Sequence, residues 1–246
     1  MVKYMYMKKS DNKNLVTVDI GNLSPKNASL AMRFMKDLVT GLDIIEHYNH
    51  GVTIFGSAKL DLNNKYYKAA YKLGHSLAKN GHTVVTGGGP GIMEAANKGA
   101  KEAGGKTLGL NINLPHEQKI NKYVTDYISF RYFFARKVIL AFAAQSYIFF
   151  PGGIGTLDEI SEILTLMINK KIPSAPVILY GKSFWKNFNK LLIDQMVVKY
   201  KTVDPEINKI FYITDNLEEI VNVVNMADQI TTEQNSKEYL EQLLRK

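Results

Sequence analysis

Apolar positions recur along most of the chain in two periods, and the alternation of those periods predicts the class of fold. Leu30, Phe34, Leu38, Leu42 and Ile45 fall at helical spacing, so the segment before Gly51 reads as an N-terminal arm with one amphipathic helix, packed on the main domain behind a polar patch at 8–14. From Gly51 onward, short apolar runs at 52–56, 82–86, 107–111, 146–150, 176–180 and 210–214 have strand length. Between them, residues 66–79, 91–103, 132–144, 156–169, 184–198 and 217–226 carry helical spacing. Residues 114–129 are less regular, and Pro115 breaks any helix running into them. Strand-length runs separated by helix-length segments are βαβ units, which make the sheet parallel and place helices on both of its faces. The expected organisation is an arm at 1–50, one α/β domain at 51–230 and a solvated C-terminal helix at 231–246.

Composition agrees with one core. The 246 residues are 46% hydrophobic and 11% aromatic, enough apolar material for a single large α/β domain. No stretch approaches the roughly 18 uninterrupted apolar residues that a membrane span needs, and no apolar run follows Lys8 and Lys9 as in a signal peptide. With no cysteine, a disulfide framework and a thiolate metal site are both excluded, and a cytoplasmic compartment is expected. The formal charge is +8, yet the basic residues are scattered, adjacent only at 8–9, 136–137, 170–171 and 245–246. A generally basic surface suits anionic metabolites better than nucleic acid. His47, His50, His75, His82 and His116 are isolated from one another and from carboxylates at ligand spacing, so no metal centre is expected.

Candidate chemistry gathers at two glycine turns. In a parallel sheet, ligands collect where strands end and helices begin. Thr-Gly-Gly-Gly-Pro-Gly at 86–91 closes a strand run and opens a helix, which alone could be a mere strand-to-helix joint. Pro-Gly-Gly-Ile-Gly-Thr at 151–156 does the same and adds a hydroxyl, so a phosphate there would meet backbone amides, Thr156 and the positive end of a helix. Neither turn has the lysine of a nucleoside-triphosphate loop, nor the glycine spacing and following acid of a dinucleotide fold. Glu159, three residues beyond Thr156, either faces the bound group or serves as the acid of a Thr156-x-x-Glu159 capping box; local sequence does not separate the two.

The segment Pro-Gly-Gly-Ile-Gly-Thr-Leu-Asp-Glu at 151–159, preceded by Arg136-Lys137, resembles the signature of the LONELY GUY family, many of whose members were labelled "putative lysine decarboxylase". The resemblance extends through 85–97, Leu-Pro-His-Glu-Gln at 114–118, Asn121 and 132–137, and covers about residues 51–185. It implies a Rossmann-like domain, a homodimer or dimer-based oligomer, and hydrolysis of the N-glycosidic bond of a nucleoside 5′-monophosphate, AMP-like or a cytokinin riboside phosphate, to free base and ribose 5-phosphate. No cofactor is implied. Arg136 and Glu159 would then be catalytic, with Lys137 supporting them. Gly152, Gly153, Gly155 and Thr156 would hold phosphate, while Gly88, Gly89, Met93, Glu94, Gly56 and Ser57 would line the nucleotide pocket. The arm and the tail after Asp204 resemble the longer bacterial branch, where Ile168 and Asn169 usually read as Gln and Thr, a departure placed at the pocket edge.

Three other readings stay open on sequence. A carrier of the same fold could bind a nucleotide-like cofactor without turnover, as the related molybdenum-cofactor carriers are thought to do. A true lysine decarboxylase would need a lysine set for pyridoxal phosphate, and no such setting is recognisable. The terminal helix could serve a partner. Trp185, Tyr66 and Tyr67 read as core or interface residues, and one of Tyr132, Phe133 and Phe134 could touch a base.

Overall fold

The structure, a computed structural model, describes residues 23–48, 50–114 and 119–233. The polar patch at 8–14, most of the 114–118 motif and the tail from 234 lie outside the described residues. Seven strands, β1 (Gly51–Phe55), β2 (Thr83–Thr86), β3 (Thr107–Ile112), β4 (Asp126–Phe130), β5 (Ser146–Phe149), β6 (Val177–Tyr180) and β7 (Phe211–Thr214), form one sheet in the order β4-β3-β2-β1-β5-β6-β7. Every neighbouring pair is parallel. The Rossmann-like α/β expectation holds.

Alternating side chains explain why both faces are covered. Val52, Ile54, Val84, Ile148, Phe150 and Ile178 pack into one apolar layer with α2 (Lys65–Lys79), α3 (Ile92–Glu102) and α7 (Leu217–Glu233). Phe55, Val85, Tyr147, Phe149, Val177 and Leu179 point the other way, onto α4 (Phe133–Phe142), α5 (Ile154–Ile168) and α6 (Lys182–Lys190). Period-two alternation with both sets apolar is what a doubly covered parallel sheet requires. Each such side chain contributes roughly 1.5–3 kcal/mol of burial. Trp185 is fully buried and its indole N–H donates to Phe149 O and Tyr180 O, a core role as read from sequence.

The arm supplies α1 (Pro25–Glu46), begun by Ser24, whose hydroxyl accepts from the Asn27 amide. It lies on α4: Phe34 meets Tyr132 and Phe134 edge-on at 4.6 and 4.9 Å, and Gly41 is buried where a Cβ would collide with Ile139. Leu42, expected on the packed face, is exposed along with Met32, Met35 and Val39.

Elsewhere the elements depart from their sequence bounds for local reasons. β4 falls inside the stretch read as irregular, because it is an edge strand with only Phe130 fully buried and Asp126 and Tyr127 open to solvent. The helix expected at 184–198 is α6 followed by a π-helical segment at Leu191–Lys199. α7 runs on to Glu233, past the expected end of the domain.

Where the site sits follows from topology. The chain builds outward from β1 to β4, then returns to add β5 on the opposite side of β1. The strand order reverses between β1 and β5, and the crevice at their carboxyl ends is the position where such sheets bind ligands.

Candidate functional site

Both glycine turns open at that end of the sheet, and backbone hydrogen bonds tie them to the first strand. Ser57 N donates to Pro151 O at 3.0 Å, Phe150 N to Phe55 O at 2.9 Å and Ile92 N to Ser57 O at 3.0 Å. Gly56 and Ser57 thus join three elements. A Cβ on Gly56 would lie 2.7 Å from Ile92 Cγ2, so glycine there lets α3 approach β1.

The second turn leaves backbone amides uncapped. α5 begins at Ile154 with Gly153 as N-cap and no side chain capping it, so its first amides have no partner of their own within the helix. Thr156 is therefore inside the helix rather than at its cap, and the capping-box reading of Thr156 and Glu159 is wrong. Thr156 is buried over Gly152, where a Cβ would overlap its hydroxyl. Gly153 and Gly155 are different: a Cβ on either would meet nothing within 4 Å. No protein neighbour requires glycine at these two positions, and neither has a positive φ. Open space beside uncapped amides and a helix dipole is the setting in which phosphate binds.

Glu159, one turn further along α5, faces Arg136 of α4, with Arg136 Nη1 3.9 Å from Glu159 Oε1 and side-chain exposures of 12% and 18%. Arg136 Nε donates to Leu110 O at 2.7 Å, which anchors the guanidinium to the end of β3. Burial pushes the Glu159 carboxyl up to about 7, against the opposing pull of Arg136 and Lys137 and with a smaller push from Asp158 and Glu162. The Arg136 attraction favours the ionised carboxylate, but burial outweighs it. Burial likewise lowers Arg136, and Glu159 opposes that shift. The outcome is a carboxyl poised to change charge near neutral pH.

Lys137 stands beside this pair but is engaged by two other carboxylates. Its ammonium bonds Asp158 at 2.9 Å and Glu162 at 3.3 Å, clamping α4 to α5. Although burial works against its charge, those two carboxylates hold its pKa above the usual lysine value.

The first turn supports the pair from the other side. A Cβ on Gly87 would overlap the Arg136 guanidinium and lie 2.9 Å from Met93 Sδ. Sequence reasoning named Gly88 and Gly89 and passed over Gly87; three consecutive glycines, more than a simple turn needs, were the available signal. Gly88, at φ +70°, gives its carbonyl to the Asn121 amide at 2.8 Å and, with Gly89, to Asn121 Nδ2. Asn121 also bonds Asn97 Oδ1, which accepts from Thr86 Oγ1 at 2.7 Å, while Thr86 Oγ1 receives the Gly88 amide. Asn121 is thus the buried bracket of the turn. Glu94 lies on the first turn of α3 near Tyr67, whose hydroxyl is pushed up to about 12 by burial and then by the Glu94 charge.

Gly87→Ala is expected to leave the fold intact within about 1–3 kcal/mol, the usual cost of overpacking, while displacing Arg136. An unchanged reaction rate in a variant with native circular dichroism would contradict this placement.

Other sequence candidates fall elsewhere. Ile168 and Asn169 end α5, about 20 Å from the glycine turn at 1.5 Å per residue, so they do not edge the pocket within one chain. Tyr132 and Phe134 pack on Phe34, leaving Phe133 as the most exposed ring of the three. Among the described residues no group of three or more His, Asp or Glu side chains could hold a metal, and no helix is long and apolar enough to cross a membrane.

A family model described as "Possible lysine decarboxylase" matches residues 93–224, more than half of the chain and including α3, α4 and α5. The chain belongs to that family. Relatives carry the names expected for LONELY GUY proteins. A cytokinin riboside 5′-monophosphate phosphoribohydrolase of Mycobacterium marinum is 32% identical over 95 residues, 38% of this chain and 51% of the relative. A pyrimidine/purine nucleotide 5′-monophosphate nucleosidase of Escherichia coli is 28% identical over 147 residues, 56% of this chain and 32% of the relative. The matched stretches therefore span about half or less of those relatives. Among solved structures, the molybdenum cofactor binding protein of Rippkaea orientalis superposes with a TM-score of 0.52 at 26% identity, over 74% of this chain and 96% of that one.

Proposed function

We propose that this member of the family cleaves the N-glycosidic bond of a nucleoside 5′-monophosphate, releasing the base and ribose 5-phosphate. The observation that carries the reading is the largely buried Glu159 carboxyl facing Arg136 one helical turn beyond an uncapped glycine loop. The 5′-phosphate lies on the amides of 152–156, which sets the ribose over Glu159. As the bond from C1′ to the base nitrogen lengthens, positive charge develops on the ribose, and an ionised Glu159 stabilises it and orients water. Water oxygen then bonds to C1′, the base leaves with the bonding electrons, and the proton balance is completed on the base. Arg136 favours the ionised form of Glu159 and completes the anionic end of the site.

The names of the relatives support this chemistry at the level of the family. A carrier reading has its own support in the likeness to the molybdenum cofactor binding protein. A carrier of a phosphate-bearing ligand needs the glycine loop but has no use for a buried carboxyl titrating near neutrality, and that favours turnover. Incubating the protein with a panel of purine and pyrimidine nucleoside monophosphates and assaying ribose 5-phosphate and free base tests both readings. Release from at least one nucleotide is expected; tight binding with no release from any would leave the carrier reading standing.

A further inference from the structure

α4 carries Arg136 in its first turn, yet nothing local secures that turn. The helix has ten residues, its N-cap is Tyr132, and no side chain of its own segment caps it. An acceptor for the two residues that lead into that turn comes from the arm. Asp37 of α1 places Oδ2 on the amides of Arg131 and Tyr132 at 2.8 and 3.1 Å, across a separation of more than ninety residues. A carboxylate there satisfies two free amides and opposes the positive end of α4. Phe34 one turn before and Gly41 one turn after Asp37 hold the same face of α1 against α4. On its inner side, Arg136 is fixed by Leu110 O and by the space that Gly87 leaves.

We propose that Asp37 is a positioning residue for the site: the arm, through this one carboxylate, sets the first turn of α4 and so the approach of Arg136 to Glu159. The inference rests on the reading of Arg136 and Glu159 as the reacting pair, and it assigns to the segment before β1 a part in that site. Without Asp37 the first turn of α4 loosens, and Arg136 spends less time beside Glu159.

The groups facing Glu159 are Arg136 and Lys137 from α4 and Asp158 and Glu162 from α5. This gives the test a sign. Removal of a negative charge acting directly would lower the Glu159 midpoint, whereas a retreat of Arg136 raises it. The decisive measurement follows the Glu159 carboxyl by carbon-13 NMR titration, assigned by its absence in Glu159→Gln, in the wild type, Asp37→Ala, Asp37→Asn and the exposed-surface control Thr40→Ala. In Asp37→Ala the midpoint is expected to rise by about half a pH unit or more. Asp37→Asn, which keeps an acceptor oxygen but no charge, is expected to fall between and carries the test should the alanine variant not fold. In parallel, kcat on a nucleoside monophosphate is expected to fall about tenfold in Asp37→Ala with little change in KM, the loss being in transition-state stabilisation. A midpoint that is unmoved or lowered in both Asp37 variants overturns the proposal, even if kcat falls. Because the titration needs no substrate, it decides the matter whether or not the wild type turns over a nucleotide.

Discussion

Glu159→Gln is expected to abolish most release of ribose 5-phosphate, by between about a hundredfold and ten-thousandfold, the range for removing a positioned acid or base. The amide keeps the size of the side chain and can still face Arg136, so the loss isolates the negative charge. The same charge predicts the wild-type pH profile. If the ionised carboxylate acts, kcat/KM should fall about tenfold per pH unit below about 7, where burial has placed the group in the free protein, rather than below the ordinary carboxylate range. A profile flat from pH 5 to 8, or a glutamine variant at wild-type rate, would remove Glu159 from the reaction.

The variant should also be more stable, with a sign that linkage dictates. Glu159 has a folded-state pKa raised from 4.5 to about 7, so its favourable contribution is fully present below the unfolded value and is lost as pH rises through the folded one. At pH 8 the native wild type carries a buried charge that the unfolded chain holds in water, a cost of roughly 3 kcal/mol at 1.36 kcal/mol per unit. Glutamine mimics the protonated form and avoids this cost. Thermal unfolding should therefore place Glu159→Gln above the wild type at pH 8, with the gap closing toward pH 4.5. Greater stability with lost turnover is the expected mark of a group kept for chemistry.

How much of this was legible in the sequence depends on whether the signal was local. Strands buried on both faces, such as β1 and β5, show as short, mostly apolar runs without polar alternation, and burial on both faces made them readable. β4 was not, since an edge strand with Asp126 and Tyr127 in solvent lacks that pattern. At the site, the glycine loop and Glu159 could be named, but their roles could not, because Thr156 and Glu159 have the spacing of a capping box and only the start of α5 at Ile154 rules it out. Asp37 and Asn121 act on segments distant from them in sequence. Asp37 meets Tyr132 only once the arm has docked, and no periodicity of α1 marks one exposed-looking acid among its neighbours as a cap for another helix.

The loop itself yields the second large effect, through the two glycines that the protein does not need. Gly155 lies in the first turn of α5, where alanine would fit without contact and would favour the helix by up to about 1 kcal/mol over glycine. Aspartate would do as well, since an acid in the first turn opposes the helix dipole and stabilises by about 0.3–1 kcal/mol. If the open space beside Gly155 belongs to a phosphate, both substitutions must harm binding while sparing or improving the fold. Gly155→Ala fills the space with a methyl group, and a rise of at least tenfold in KM, or in Kd for ribose 5-phosphate, corresponds to about 1.4 kcal/mol lost. Gly155→Asp adds like-charge repulsion directly beside the phosphate, and about a hundredfold loss is expected. Calorimetric titration with ribose 5-phosphate, set beside thermal unfolding of the free proteins, reads both quantities. A Gly155→Asp protein that is stable and still binds ribose 5-phosphate with wild-type affinity would show that the phosphate lies elsewhere. Opposite signs for stability and binding at one residue would instead tie the glycine to its ligand, because a turn that was merely structural would lose nothing when its empty side is filled.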